Sequence, residues 1–169
     1  MTEPVGKEAH LIRVAFHEAG HAVASVQLHR PFKYVTNQPS GDSQGHMMGW
    51  RTGKWFRPDI EITSRVRTLI DAEVSVLLAG AIAERRFTGR SNHVGAKSDY
   101  DVALNLASYI GGSERQSKAY VKWRHTFAED LIESRWNLVE AVARALAKQK
   151  RMTFDDVRNL VFPQPKFQR

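Results

Sequence analysis

The opening third of the chain alternates between two hydrophobic periods. Over residues 10–29, Leu11, Val14, Ala15, Ala22, Val26 and Leu28 recur at the three-to-four spacing of one helix face, and Pro31 closes the segment. Phe32, Tyr34 and Val35 then read as a strand. Asn37 to Asp42 reads as a turn, and Gly45 to Trp50 as the returning strand of a hairpin. Residues 51–58 read as a loop. A long helix follows from Asp59 to about Phe87, with Ile62, Val66, Leu69, Ile70, Val74, Leu77 and Leu78 on its apolar face. Its second half holds Ala79, Gly80, Ala81 and Ala83, small residues that let another helix approach closely; the first helix is the obvious neighbour.

The rest of the pattern is helical. Residues 89–95 read as a loop. Ser98 and Asp101 have the spacing of a capping box, which places a helix from Asp99 to about Ile110, stopped by Gly111-Gly112. Residues 114–126 and 127–149 read as two helices or one bent one. Met152 to Phe154 forms a connector, and Thr153 caps a last helix from Phe154 to Leu160. The expected fold class is mainly α-helical with a small β-hairpin or sheet. Residues 1–9 are expected to be a flexible lead, 10–162 one domain, and 163–169 a tail marked by Pro163 and Pro165.

Composition narrows the chemistry. The 169 residues are 42% hydrophobic, enough for a core and too many for a disordered chain. There is no cysteine, so a metal here must be held by His, Asp or Glu. The first residues lack the layout of a signal peptide. The longest apolar run, near Val74 to Ala83, is well short of the roughly 20 residues that span a bilayer. A soluble, cytoplasmic protein is expected. The formal charge of +7 suits acidic partners and equally suits solubility alone. Trp50, Trp55 and Phe56 beside Arg51, Lys54 and Arg57 could stack on bases, but a substrate lip or core packing is the preferred reading. The basic stretches Lys118–Arg124 and Lys148–Arg151 accompany no nucleic-acid motif and read as solvated helix faces.

One motif stands above this background: His17-Glu18-Ala19-Gly20-His21. On a helix, His17 and His21 lie one turn apart on the same face and can reach one ion. Glu18 points about 100° further round, displaced from that ion but able to reach a water beside it, as the HExxH pattern requires of a general base. Two histidines hold zinc poorly, so a third ligand is needed. Asp99, Glu84, His93, Asp101, His46 and His125 are all chemically eligible, and spacing does not choose among them. Glu84 can instead orient a ligand histidine, and a helix-surface salt bridge is an equal reading of it. His46 and His93, in predicted loops, are read as exposed before being read as cleft residues.

Val14 to Ala22 resembles the zinc helix of the FtsH-type ATP-dependent proteases. Tyr34-Val35-Thr36 and the segment up to Gly49 are similar to the strand region that follows it. Leu77 to Arg85 resembles that family's small-residue helix ending in Ala-Glu, and Gly95–Asp99 through Ala107 its third-ligand segment. Leu138–Leu146 and Met152-Thr153 are similar to its last helices. The resemblance covers about residues 10–162 and implies a zincin-like metallopeptidase domain. It implies Zn2+ held by His17, His21 and Asp99, with Glu18 as catalytic base. It departs in Lys97-Ser98, where the family commonly has Ser-Asn, and in lacking a Walker-type Gly-x-x-x-x-Gly-Lys-Ser/Thr stretch. The expectation is therefore a stand-alone, ATP-independent zinc peptidase acting on peptides or unfolded protein, with a separate ATPase or adaptor as a possible partner. The alternative is a metal-binding regulatory or binding module with little turnover.

Overall fold

The computed structural model describes residues 4–39, 45–49, 53–90 and 93–163. Six helices and three short strands follow in the order α1 (Pro4–Gln27), β1 (Phe32–Thr36), β2 (His46–Gly49), α2 (Ser64–Thr88), α3 (His93–Ser108), α4 (Glu114–Ser134), α5 (Trp136–Gln149), β3 (Arg151–Thr153) and α6 (Phe154–Val161). The fold is mainly α-helical with a small antiparallel sheet, as the pattern predicts.

Helix α1 runs through the middle. It packs along α2 on one side and α5 on another, and it touches β1, β2, α4 and α6. Its centre is lined by Ala15, Ala19, Ala22, Val23 and Val26, all buried. The small residues allow close crossing: a Cβ added to Gly20 would fall 2.5 Å from the Ala79 carbonyl oxygen and 2.7 Å from the Ala83 methyl. Helix α1 ends in a Schellman motif. Arg30 N–H donates to Ser25 O (2.7 Å), His29 N–H donates to Val26 O (3.3 Å), and His29 takes the left-handed conformation at φ 55°.

The sheet has the order β2-β1-β3. Val35 pairs with Met47 on one side and Met152 on the other. Val35 and Met152 are buried, and Met47 packs against the same core. Ser25 on α1 donates to Met47 Sδ at 3.6 Å, fixing β2 beside the first helix.

Several boundaries differ from those the pattern predicts. Helix α1 begins at Pro4, so residues 4–9 of the expected lead form its opening turns. Helix α2 begins at Ser64, not Asp59, because the Thr63 side chain accepts from Val66 N–H and caps it; Ile62, assigned to the apolar face, lies before the helix and is exposed. Residues 151–153, read as a connector, form a third strand. Helix α3 begins at His93. Ser98 is therefore helical itself and cannot serve as an N-cap, whose backbone must be non-helical. The helices at 114–149 are two, broken at Arg135. The last helix has its expected cap, with Thr153 and Asp156 forming a capping box. The turn residues 40–42, along with Trp50 and Arg51, lie outside the described residues.

Candidate metal centre

The centre assembles where α1, α2 and α3 meet. His17 and His21 come from α1, one turn apart, with their rings edge to face. Asp99 comes from the second turn of α3, in the helix interior rather than at the start the pattern predicts. Three donor atoms converge: His17 Nε2 and His21 Nε2 are 3.0 Å apart, and Asp99 Oδ2 lies 3.2 Å from the first and 3.3 Å from the second. Among the described residues these three form a group able to hold a metal ion. Tetrahedral ligands about 2.0–2.1 Å from zinc lie roughly 3.3 Å from one another, so the donor triangle has the right size.

The far nitrogen of each ring is fixed as well. His21 Nδ1 donates to the Val76 carbonyl on α2 at 2.7 Å, and His17 Nδ1 donates to Glu84 Oε2 at 3.0 Å. With Nδ1 carrying the proton, the Nε2 lone pair of each ring faces the shared point, the tautomer a metal ligand needs. Glu84, eligible as a third ligand in sequence, thus sits on the outer side of His17. Gly80 completes the setting. A Cβ there would lie 2.3 Å from His21 Nε2, so only glycine leaves space for the imidazole against α2.

The electrostatics favour a cation. Burial lowers the affinity of His17 for a proton, but its bonds to Asp99 and Glu84 and the charge of Glu18 outweigh this and raise its pKa to about 10. His21 is also raised: burial opposes, and Asp99 prevails. For Asp99 burial pushes upward, yet the neighbouring imidazoles hold it well below the usual carboxylate range. Carboxylates thus surround two imidazoles in a largely dry site, an environment that holds positive charge.

Glu18 is buried, and its Oε2 makes no hydrogen bond. Burial pushes its pKa up, against the lowering effect of the two histidines. Gly45, just before β2, abuts it: a Cβ there would fall 3.1 Å from Glu18 Oε1. The β2 edge of the sheet therefore starts beside the candidate base.

Asp101, His46 and His125 lie outside this group. His125 on α4 pairs with Glu129 at 3.4 Å. His46 hydrogen-bonds the Tyr34 hydroxyl at 3.1 Å on β1, so it is half-buried rather than an exposed loop residue. Asp101 is exposed, and His93 opens α3. Phe56 packs against the core, and Trp55 carries the Arg65 guanidinium over its ring at 3.8 Å. Three supports left no mark in the sequence reading. The Val76 carbonyl is backbone and has no side-chain signature; Arg13, which pairs with Glu84, is one basic residue on an amphipathic helix; Gly80 looked like helix-packing residue alone.

A family model described as peptidase family M41 matches residues 5–110. The chain is 35% identical over 96 residues to an ATP-dependent zinc metalloprotease FtsH of Buchnera aphidicola subsp. Schizaphis graminum, covering 55% of this chain and 14% of the relative. It is 24% identical over 180 residues to the ATP-dependent zinc metalloprotease FTSH 9, chloroplastic/mitochondrial, of Oryza sativa subsp. japonica, covering 90% of this chain and 22% of the relative. The chain thus spans between about a seventh and a quarter of the length of these curated relatives. No helix among the described residues is long and apolar enough to cross a membrane.

Proposed function

The chain belongs to peptidase family M41, and on that footing we propose that it is a zinc metallopeptidase whose ion is held by His17, His21 and Asp99 and whose general base is Glu18. The observation that carries this is the convergence of three donor atoms at 3.0–3.3 Å, with both imidazoles anchored through their outer nitrogens. The relatives bear the name zinc metalloprotease, and a His2Asp donor set suits zinc. A zinc ion bound there supplies a Lewis acid that lowers the pKa of water and polarises a carbonyl.

The chain's own groups supply the rest. Glu18 Oε2, buried without a partner, is the proton acceptor for the attacking water and afterwards the donor to the leaving amine nitrogen. Among the described residues β2 has one strand neighbour, β1, and its outer edge begins next to Glu18 through Gly45. An extended peptide added antiparallel or parallel to that edge would pass the base with its backbone hydrogen-bonded. Substrates are therefore peptides or unfolded segments of protein. The donors and the base all lie within residues 17–99, in a sequence with no Walker-type stretch, and the hydrolytic step built from them uses no nucleotide. The domain is proposed to span residues 10–162.

Glu18→Gln tests the assignment. The variant keeps zinc and loses cleavage of a peptide pool by at least about 10²-fold, the usual contribution of a general base. Wild-type cleavage rates in this variant would reject Glu18 as the base.

A further inference from the structure

Glu84 uses its two oxygens on opposite sides. Oε2 accepts from His17 Nδ1 at 3.0 Å, and Oε1 meets Arg13 Nη1 at 3.1 Å. Arg13 lies one turn before His17 on α1, so its guanidinium and the imidazole share a helix face. Its other terminal nitrogen, Nη2, reaches His10 Nδ1 at 3.1 Å. The guanidinium thus lies in ion-pair contact with a carboxylate of α2 and within hydrogen-bond reach of His10 on α1.

The Glu84 side chain is only 5% exposed. The carboxylates of the arginine pairs Arg85–Glu129, Arg86–Glu133 and Arg144–Glu140 are all at least 35% exposed. Those are ordinary surface pairs, worth little. A carboxylate as dry as Glu84 needs a fixed partner to hold it in one rotamer.

We propose that Arg13 is a positioning residue of the metal centre: it fixes the Glu84 carboxylate so that its second oxygen sets the tautomer and ring orientation of His17. This rests on His17 being a metal ligand. Partners in the outer shell of a metal site typically contribute 10–100-fold in affinity. Arg13 is one bond further out, so the low end of that range applies.

The sign of the effect separates this role from simple electrostatics. Arg13 is a cation near a cation site, so removing its charge should tighten zinc binding if field alone mattered. Removing a positioning group should weaken it. A purely structural pair would lower the melting temperature of the metal-free protein and leave zinc affinity unchanged.

The experiment is a zinc titration of the full chain against a chromophoric chelator, for wild type, R13A, R13M and R13K. Binding about tenfold weaker in R13A and R13M, with most of the loss recovered in R13K, is expected. In the zinc-loaded protein, the His17 Nδ1–H resonance should move and broaden in R13A and R13M and return in R13K. R13M preserves the packing of the side-chain stem and carries the test if R13A does not fold. Zinc binding in R13M as tight as in wild type, or tighter, overturns the inference and leaves the metal site standing. A wild type without zinc affinity overturns both.

Discussion

At the scale of single residues, the centre depends as much on what is small as on what binds. His17, Glu18 and His21 announce themselves by spacing, because one helical turn is a fixed geometry. Gly80 does not. Its neighbours Ala79 and Ala83 meet α1 at Gly20, which is the helix contact the small residues predict, while Gly80 itself faces the His21 ring. Gly80→Ala should gain up to about 1 kcal/mol of helix propensity and lose about 1–3 kcal/mol to the overlap with the imidazole. A lower urea midpoint together with zinc binding at least about tenfold weaker is expected. An unchanged zinc affinity in calorimetry would show that the ring has another place to go. Asp99 was one of several eligible acids until the family resemblance ranked it, since no local pattern ties α3 to α1. The structure brings its carboxylate to the two imidazoles across 82 residues of sequence.

At the scale of elements, what could be read tracked how local the determinant was. Thr153 is legible as the cap of the last helix, and the structure adds Asp156, three residues on, as its partner in a capping box. Strand β3 was not. It is three residues long, with one buried side chain, Met152, and it exists because β1 pairs with it. The bond from Thr36 Oγ1 to Lys150 O that secures the junction joins residues 114 apart. The start of α3 departs from the pattern for the opposite reason: Ser98 and Asp101 offer a plausible local cap that the longer helix overrides. The end of α1 carries a testable imperfection. His29 occupies the left-handed position of the Schellman motif, where a side chain costs about 1–2 kcal/mol and glycine costs none. His29→Gly should therefore stabilise the fold, by about 0.5–1 kcal/mol once the greater freedom of glycine in the unfolded chain is set against the gain. Thermal unfolding measures it, and a fall in melting temperature would mean that the imidazole makes a compensating contact.

At the scale of the whole molecule, α1 meets α2 and α3, which lie far from it in sequence, at one largely buried point, and each brings a different part of the chemistry. Helix α1 carries two donors and the base. Helix α2 supplies the outer partners of both imidazoles, the Val76 carbonyl and Glu84, together with the space at Gly80. Helix α3 adds the acid. The sheet stands beside them with β2 starting at Glu18. This division explains why the motif in α1 was readable in sequence and its completion was not: the first is set by helical geometry, the second by packing. It also explains why the surface charge of +7 says so little. Some basic side chains pair with acids, as in Arg85–Glu129 and Lys118–Glu114, and the site's own field is set by nearby carboxylates rather than by the net charge.

The central claim is that His17, His21 and Asp99 together hold a zinc ion. Diffraction from zinc-loaded crystals, recorded on both sides of the zinc absorption edge, tests it most directly. A single strong anomalous peak about 2.0–2.2 Å from Nε2 of His17, Nε2 of His21 and a carboxylate oxygen of Asp99 is expected. A peak ligated by Glu84 in place of Asp99, or no peak between the two imidazoles, would contradict it.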